Sequence, residues 1–283
     1  MRRYGLVLAG WLLGSVTLFA TTPSPAAGIE IWPIGQGQSQ PLAIKPMARS
    51  ETLEFRDLSH VAFRYVIADS TGEALMVFSG TGKLQTSGAK PLWQWQIDKA
   101  VAGGQSFGAD KPLATVLMQT DRRGNVMRSQ AQFPAFVSGG EPEPGSLLHL
   151  FTTWLVAGMS RGFVALPEGD IRPNGDVADP NIYFEGFLTG VSPDALITKR
   201  LPMAKALGVA EYADADVIVA RAQGEMVAER LADRTVVQVE GHSLVDLDTG
   251  LPVYTDHKVH YRIERASGDP IDADLVIRTY LEY

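Results

Sequence analysis

Val253-Tyr-Thr-Asp-His-Lys-Val-His-Tyr-Arg-Ile-Glu264 alternates residue by residue. Val253, His257, Val259, Tyr261 and Ile263 fall on one side of an extended chain, and Tyr254, Asp256, Lys258, His260, Arg262 and Glu264 on the other. Successive side chains of a strand point to opposite faces, so the run predicts a strand with one face in a core and one in water. Alternation this clean belongs to antiparallel sheets with a wet face. Asp274–Tyr283 repeats it through Leu275, Ile277 and Leu281, and Asp248-Thr-Gly250 and Ala266-Ser-Gly-Asp-Pro270 supply the turns between.

Further upstream, strand-like runs at His60–Ala68, Leu75–Ser79, Leu92–Ile97 and Leu113–Thr120 are punctuated by Ser70-Thr-Gly72, Thr81-Gly82, Gly103-Gly104 and Asp121-Arg-Arg-Gly124. In Pro91–Asp98, Trp93, Trp95 and Ile97 share one face while Gln94, Gln96 and Asp98 share the other. Between the two β-rich stretches the period changes. Gly145–Phe163 carries Leu147, Leu150, Phe151, Trp154, Leu155 and Met159 at three- and four-residue spacings, which predicts one central amphipathic helix over about 145–163. Prolines and glycines flank it on both sides, and a second short helix is expected over Pro202–Leu207, capped by Gly208.

The fold class expected is mainly β (α+β): a curved antiparallel sheet, or two related β halves over 51–140 and 181–283, joined by that helix and a Pro/Gly-rich loop. The relation of the halves rests on two strand–turn–strand segments, Val116–Arg128 and Val245–Tyr254, each turning between Asp and Gly. This order of elements resembles that of exported lipoprotein carriers, whose curved antiparallel sheet wraps a helix. The resemblance implies only that architecture, and no residue role is carried over from it.

The first residues predict the compartment. Arg2-Arg3, an apolar run from Leu6 to Ala20, and Thr21-Thr-Pro-Ser-Pro-Ala-Ala27 have the order of a secretory signal peptide. Ser24 and Ala26 place the expected cut after Ala26, so residues 1–26 are read as the signal and 27–50, rich in Pro, Gly and Gln, as an extended lead-in to a β-rich region over 51–283. The apolar run is shorter than the ~20 residues a membrane-spanning helix needs. With no cysteine there is no disulfide and no site for a lipoprotein-type anchor, so an exported soluble protein without a stable membrane anchor, periplasmic or extracellular, is expected. Removing Arg2 and Arg3 moves the formal charge from −7 to −9, and this acidic balance argues against nucleic acid.

No motif fixes a reaction. His257 and His260 point to opposite faces of one strand and cannot readily share a metal there. His242-Ser243 lacks the sharp Gly-x-Ser-x-Gly turn of a nucleophile, and thiol chemistry has no residue to use. Oxygen ligands suit calcium, which makes Asp170, Asn174, Asp176 and Asp179 the candidate metal loop. The EF-hand pattern fails there, with Arg172 third and Asn181 twelfth, and the same residues make ordinary turns. Apolar ligand contacts are assigned instead to Trp93, Trp95, Phe133, Phe136, Trp154, Tyr183, Phe184 and Phe187.

The resulting expectation is a non-enzymatic binding or carrier module for an apolar small molecule or a cell-envelope component, without a cofactor unless calcium. Two alternatives stand beside it. One is a structural or assembly subunit that binds another envelope protein, and the other is a hydrolase using scattered carboxylates.

Overall fold

The computed structural model describes residues 41–86, 90–102, 104–108, 111–122, 126–132, 170–178, 196–199, 204–230, 233–265 and 269–283. Every regular element among them is a strand: β1 (Leu58–Asp69), β2 (Ala74–Gln85), β3 (Leu92–Ala102), β4 (Gln105–Phe107), β5 (Ala114–Thr120), β6 (Val126–Gln132), β7 (Asp176–Ala178), β8 (Leu196–Lys199), β9 (Ala204–Tyr212), β10 (Ala215–Arg230), β11 (Asp233–Asp246), β12 (Pro252–Glu264) and β13 (Ile271–Glu282). They form one antiparallel sheet in the order β6-β5-β3-β2-β1-β13-β12-β11-β10-β9-β7, with β4 on β3 and β8 on β10. Among the described residues the sheet does not close. Mainly β is therefore the class of the fold, and the helix expected over 145–163 lies outside the described residues. Strands of both sequence halves join in the one sheet, because β1 pairs with β13 from Ala62↔Glu282 to Asp69↔Leu275.

One face of the sheet carries a single apolar cluster running from Met118 and Val116 on β5 through Trp95, Phe63, Ile277, Val259 and Val239 to Ile218 on β10 and Ala206 on β9. Period-two burial produces it: on β3, Trp93, Trp95 and Ile97 are buried while Gln94 and Gln96 are half-buried on the far side. Gly82 sits directly across from Trp95, and a Cβ there would overlap the indole. Gly80 likewise leaves room for Phe63 and the carbonyl of Gln96. Thr81-Gly82 is thus interior to β2 rather than a turn. Its missing side chains make space for cross-strand rings.

The helix expected over Pro202–Leu207 is also corrected, because Ala204–Leu207 belong to strand β9. Pro202 and Gly208 bracket the segment at a helix-like spacing. Gly208, however, serves the passage of another segment. The lead-in packs Leu42 and Ile44 on the outer face, beside Tyr212, Val217, Leu244 and Tyr254. Lys45 then exchanges two backbone hydrogen bonds with Val209 on β9, at 2.8 and 2.9 Å. Beyond it, Met47, Leu53 and Phe55 join the inner cluster, with Phe55 edge-on to Trp93 at 5.1 Å. The chain therefore hooks over β9 from one face to the other. A Cβ on Gly208 would overlap the Lys45 carbonyl at the crossing.

Turn chemistry recurs. Asp69 Oδ1 accepts from the Thr71 amide and hydroxyl and from the Glu73 amide, and Gly72 follows with φ 90°. Asp246 Oδ1 accepts from the Thr249 amide and hydroxyl, and Gly250 follows with φ 71°. An Asp–Thr–Gly set of this kind reverses the chain because the carboxylate caps the turn and glycine takes the left-handed conformation without strain. Between β9 and β10 the two loop residues, Ala213 and Asp214, both have positive φ, as a two-residue hairpin matched to strand twist requires.

Candidate functional site

Strand pairing sets side chains of β10 to β13 in rows across the outer face. One row holds Glu225, Gln238, His260 and Asp274, and the next holds Gln223, Glu240, Lys258 and Val276. A further step along the strands brings Arg221, His242, Asp256 and Arg278 into line. An open trough of about 810 Å³ lies over the first two rows, with Ser70 from the β1–β2 turn on its rim. Ser70 reaches that place because the preceding residue, Asp69, pairs with Leu275.

Polar side chains project into the trough between the apolar surfaces of Val239, Val259, Leu275 and Val276, and most of them are engaged. His260 Nδ1 lies 2.8 Å from Asp274 Oδ1, and its Nε2 lies 4.0 Å from Asp272. Gln238 donates to Glu225 at 3.0 Å, and Arg221 donates to Glu240 at 2.9 Å. Farther along, Arg262 pairs with Glu264 at 3.2 Å and Arg234 with Glu264 at 3.3 Å. Exposed pairs of this kind contribute ~0–1 kcal/mol each, so the lattice keeps the face wet more than it holds the fold together.

The row just past the trough is drier. Arg278 Nε is 3.5 Å from Asp256 Oδ1, an ion-pair distance without hydrogen-bond geometry, and the Arg278 side chain is only 16% exposed. The buried nitrogens Arg221 Nε, His242 Nε2 and Arg278 Nε have no hydrogen-bond partner. A buried polar atom left so costs roughly 1–3 kcal/mol. Burial pulls the His242 imidazole below its usual value, Arg221 lowers it further, and Asp256 and Glu240 work against them.

Directly beneath, the inner face carries a polar stripe within the apolar cluster. Ser243, Thr255 and Thr279 are cross-strand neighbours, and His257 lies over Gly241 in the adjoining row. Ser243 Oγ is 3.4 Å from His257 Nε2. Full burial, with His242 adding to it, pulls His257 down to about 4. A base so weak, shut away from water, is poorly suited to activate Ser243 at neutral pH. The hydroxyls of Thr255 and Thr279 are buried without a hydrogen-bond partner.

Among the described residues, those singled out in the sequence are not gathered into one place. Trp93 and Trp95 stack at 5.8 Å with ring planes 16° apart and fill the inner core, Trp93 Nε1 donating to Thr120 Oγ1 at 3.2 Å. Phe133, Phe136, Trp154, Tyr183, Phe184 and Phe187 lie outside the described residues, as does Asp179. Asp170 accepts from the Thr52 hydroxyl, Asp176 pairs with Lys205, and Asn174, at φ 58°, forms a turn whose amide donates to Ala206 at 3.1 Å. The carboxylates of Asp170 and Asp176 are thus each engaged by another side chain of the protein. No group of three or more His, Asp or Glu among the described residues could hold a metal ion. The trough residues were missed because register, not local pattern, assembles them.

No family model matches this chain, and no curated protein matches it.

Proposed function

We propose that the chain is an exported, non-enzymatic binding module whose ligand, a polar component of the cell envelope, lies in the trough over β10 to β13. The observation that carries this reading is the trough itself. It is an open concavity of ligand size, into which amides, carboxylates, an ammonium and an imidazole project among valine and leucine surfaces, on the water-facing side of a sheet whose other side is packed. The binding arm fits better than a hydrolase using scattered carboxylates, since the trough's Asp274, Glu225 and Glu240 are engaged by His260, Gln238 and Arg221, and the Ser243–His257 approach among the described residues lies on the opposite, buried face. An envelope component fits better than an apolar small molecule, because the two described members of the aromatic set expected to receive the latter, Trp93 and Trp95, are stacked in the core. The signal segment belongs to the same reading, as the export address.

The test is native mass spectrometry of the protein purified from its own source, beside a Lys258→Glu/His260→Ala double variant of unchanged melting temperature. A co-purifying polar mass that the double variant loses supports the reading. A clean mass in both, or an apolar adduct indifferent to the double variant, overturns it.

A further inference from the structure

We infer that the row Arg221, His242, Asp256 and Arg278, with Arg64 and Lys258 at its sides, seats an oxyanion of the ligand, a carboxylate or a phosphate. The inference rests on the reading that this face binds a ligand, and it adds the chemistry of one end of that ligand.

Register places all six side chains on one face. Arg221 faces His242, His242 faces Asp256, and Asp256 faces Arg278. One step toward the smaller apolar cluster of the same outer face, Arg64 lies across from Tyr280, its guanidinium 6.0 Å from the ring centroid. One step the other way, Lys258 opens the trough. Four fixed cations, Arg64, Arg221, Lys258 and Arg278, therefore surround two carboxylates, Glu240 and Asp256, in a chain whose formal charge is −7. The local sign is opposite to that of the molecule. Neither carboxylate saturates its neighbours: Glu240 takes one nitrogen of Arg221, Asp256 stands off Arg278 at 3.5 Å, and the Nε atoms of both arginines have no hydrogen-bond partner. Cross-strand neighbours are ~5 Å apart, so Arg221 and Arg278 start ~15 Å from each other and reach inward from both sides of His242. Planar guanidinium groups arranged so match the oxygens of a carboxylate or phosphate.

His242 gives the seat a proton linkage. The groups facing it are Arg221 from β10, Glu240 on its own strand, Asp256 from β12 and Arg278 beyond, with His257 on the opposite face. Burial and Arg221 keep its imidazole neutral near pH 7. An oxyanion beside it favours the charged ring, and by reciprocity acid tightens anion binding.

Sulfate tests this, because its charge is constant over the range used. The His242 ring resonance is followed by NMR during titration with sulfate at fixed ionic strength, chloride serving as the control, at pH 5.5 and 7.5. The expected result is a saturable response to sulfate alone, several-fold tighter at pH 5.5, and at least tenfold weaker in Arg278→Gln. Arg221→Gln gives a second variant should the first melt early. Arg234→Gln, on the same face but remote, is expected to leave the response unchanged. Titrations with phosphate and acetate then tell a phosphate source from a carboxylate one. Equal responses to chloride and sulfate, or a response untouched in both arginine variants, overturn the oxyanion seat. A co-purifying ligand lost in Lys258→Glu/His260→Ala but indifferent to sulfate overturns the seat and leaves the trough reading standing. Absence of both overturns both.

Discussion

His257 and His260 stand three residues apart on β12, one under the sheet and one over it. His257 is packed against Gly241, Ser243 and the apolar cluster, and burial holds its imidazole neutral down to about pH 4. The His260 side chain is 40% exposed and lies between Asp272 and Asp274. Inside, a side chain must match the shape around it and stay uncharged, since nothing there replaces water. Outside, ion pairs exchange for water at small cost. The contrast teaches that the inner face sets whether the sheet holds and the outer face sets what it meets.

The largest effect that would break this division is on the inner side. Trp95→Ala is expected to lower unfolding free energy by about 4 kcal/mol in urea titration, the cost of a fully buried indole plus the cavity left. A loss below 1 kcal/mol would mean that the core tolerates the gap and is not close-packed. Acid comes next. The unfolded His257 titrates near 6.5 and the folded one near 4, so the fold favours the neutral ring. Its contribution is complete above pH 6.5 and is lost as pH falls from 6.5 to 4, by about 3 kcal/mol at ~1.4 kcal/mol per unit. His257→Leu should flatten most of that slope in a pH series of chemical denaturation. Gly241→Ala is expected to cost about 2 kcal/mol, because the new methyl meets the Asp256 carbonyl and the His257 ring and the strands must part. Thr279→Val should run the other way and stabilise by about 1 kcal/mol, since it removes a buried hydroxyl without a partner at nearly constant volume. The smallest effect belongs to the outer face: His260→Ala should change stability by less than ~0.5 kcal/mol, and a larger change would show that the exposed lattice does hold the sheet.

Parity made much of this readable from sequence. The alternation of Val253–Glu264 gives the inward His257 and outward His260, and the Trp93–Trp95–Ile97 spacing gives one buried stripe on β3. Val253 broke the rule because β12 carries a bulge there: Leu244 pairs with Tyr254 and Val245 with Pro252, leaving Val253 as the extra residue, in the smaller cluster. The strand β9 was misread because Pro202 and Gly208 sit where a short helix would start and stop, whereas Gly208 answers to Lys45, more than 160 residues away. The trough and the arginine row were invisible for the same reason. Nothing in Glu225, Gln238, His260 or Asp274 announces that four strands bring them side by side.

The seam between β1 and β13 also fixes an order of events. Its partners are more than two hundred residues apart, and the hook over β9 joins the first described residues to a strand near position 209. A chain made or moved N-terminus first therefore holds β1 with one flank open until β13 arrives, and Leu42 without the strands it packs beside until β9 to β12 are in place. Closure of that seam is a long-range step of the kind that slows folding, and loss of β13 would leave β1 and β12 each with one open flank.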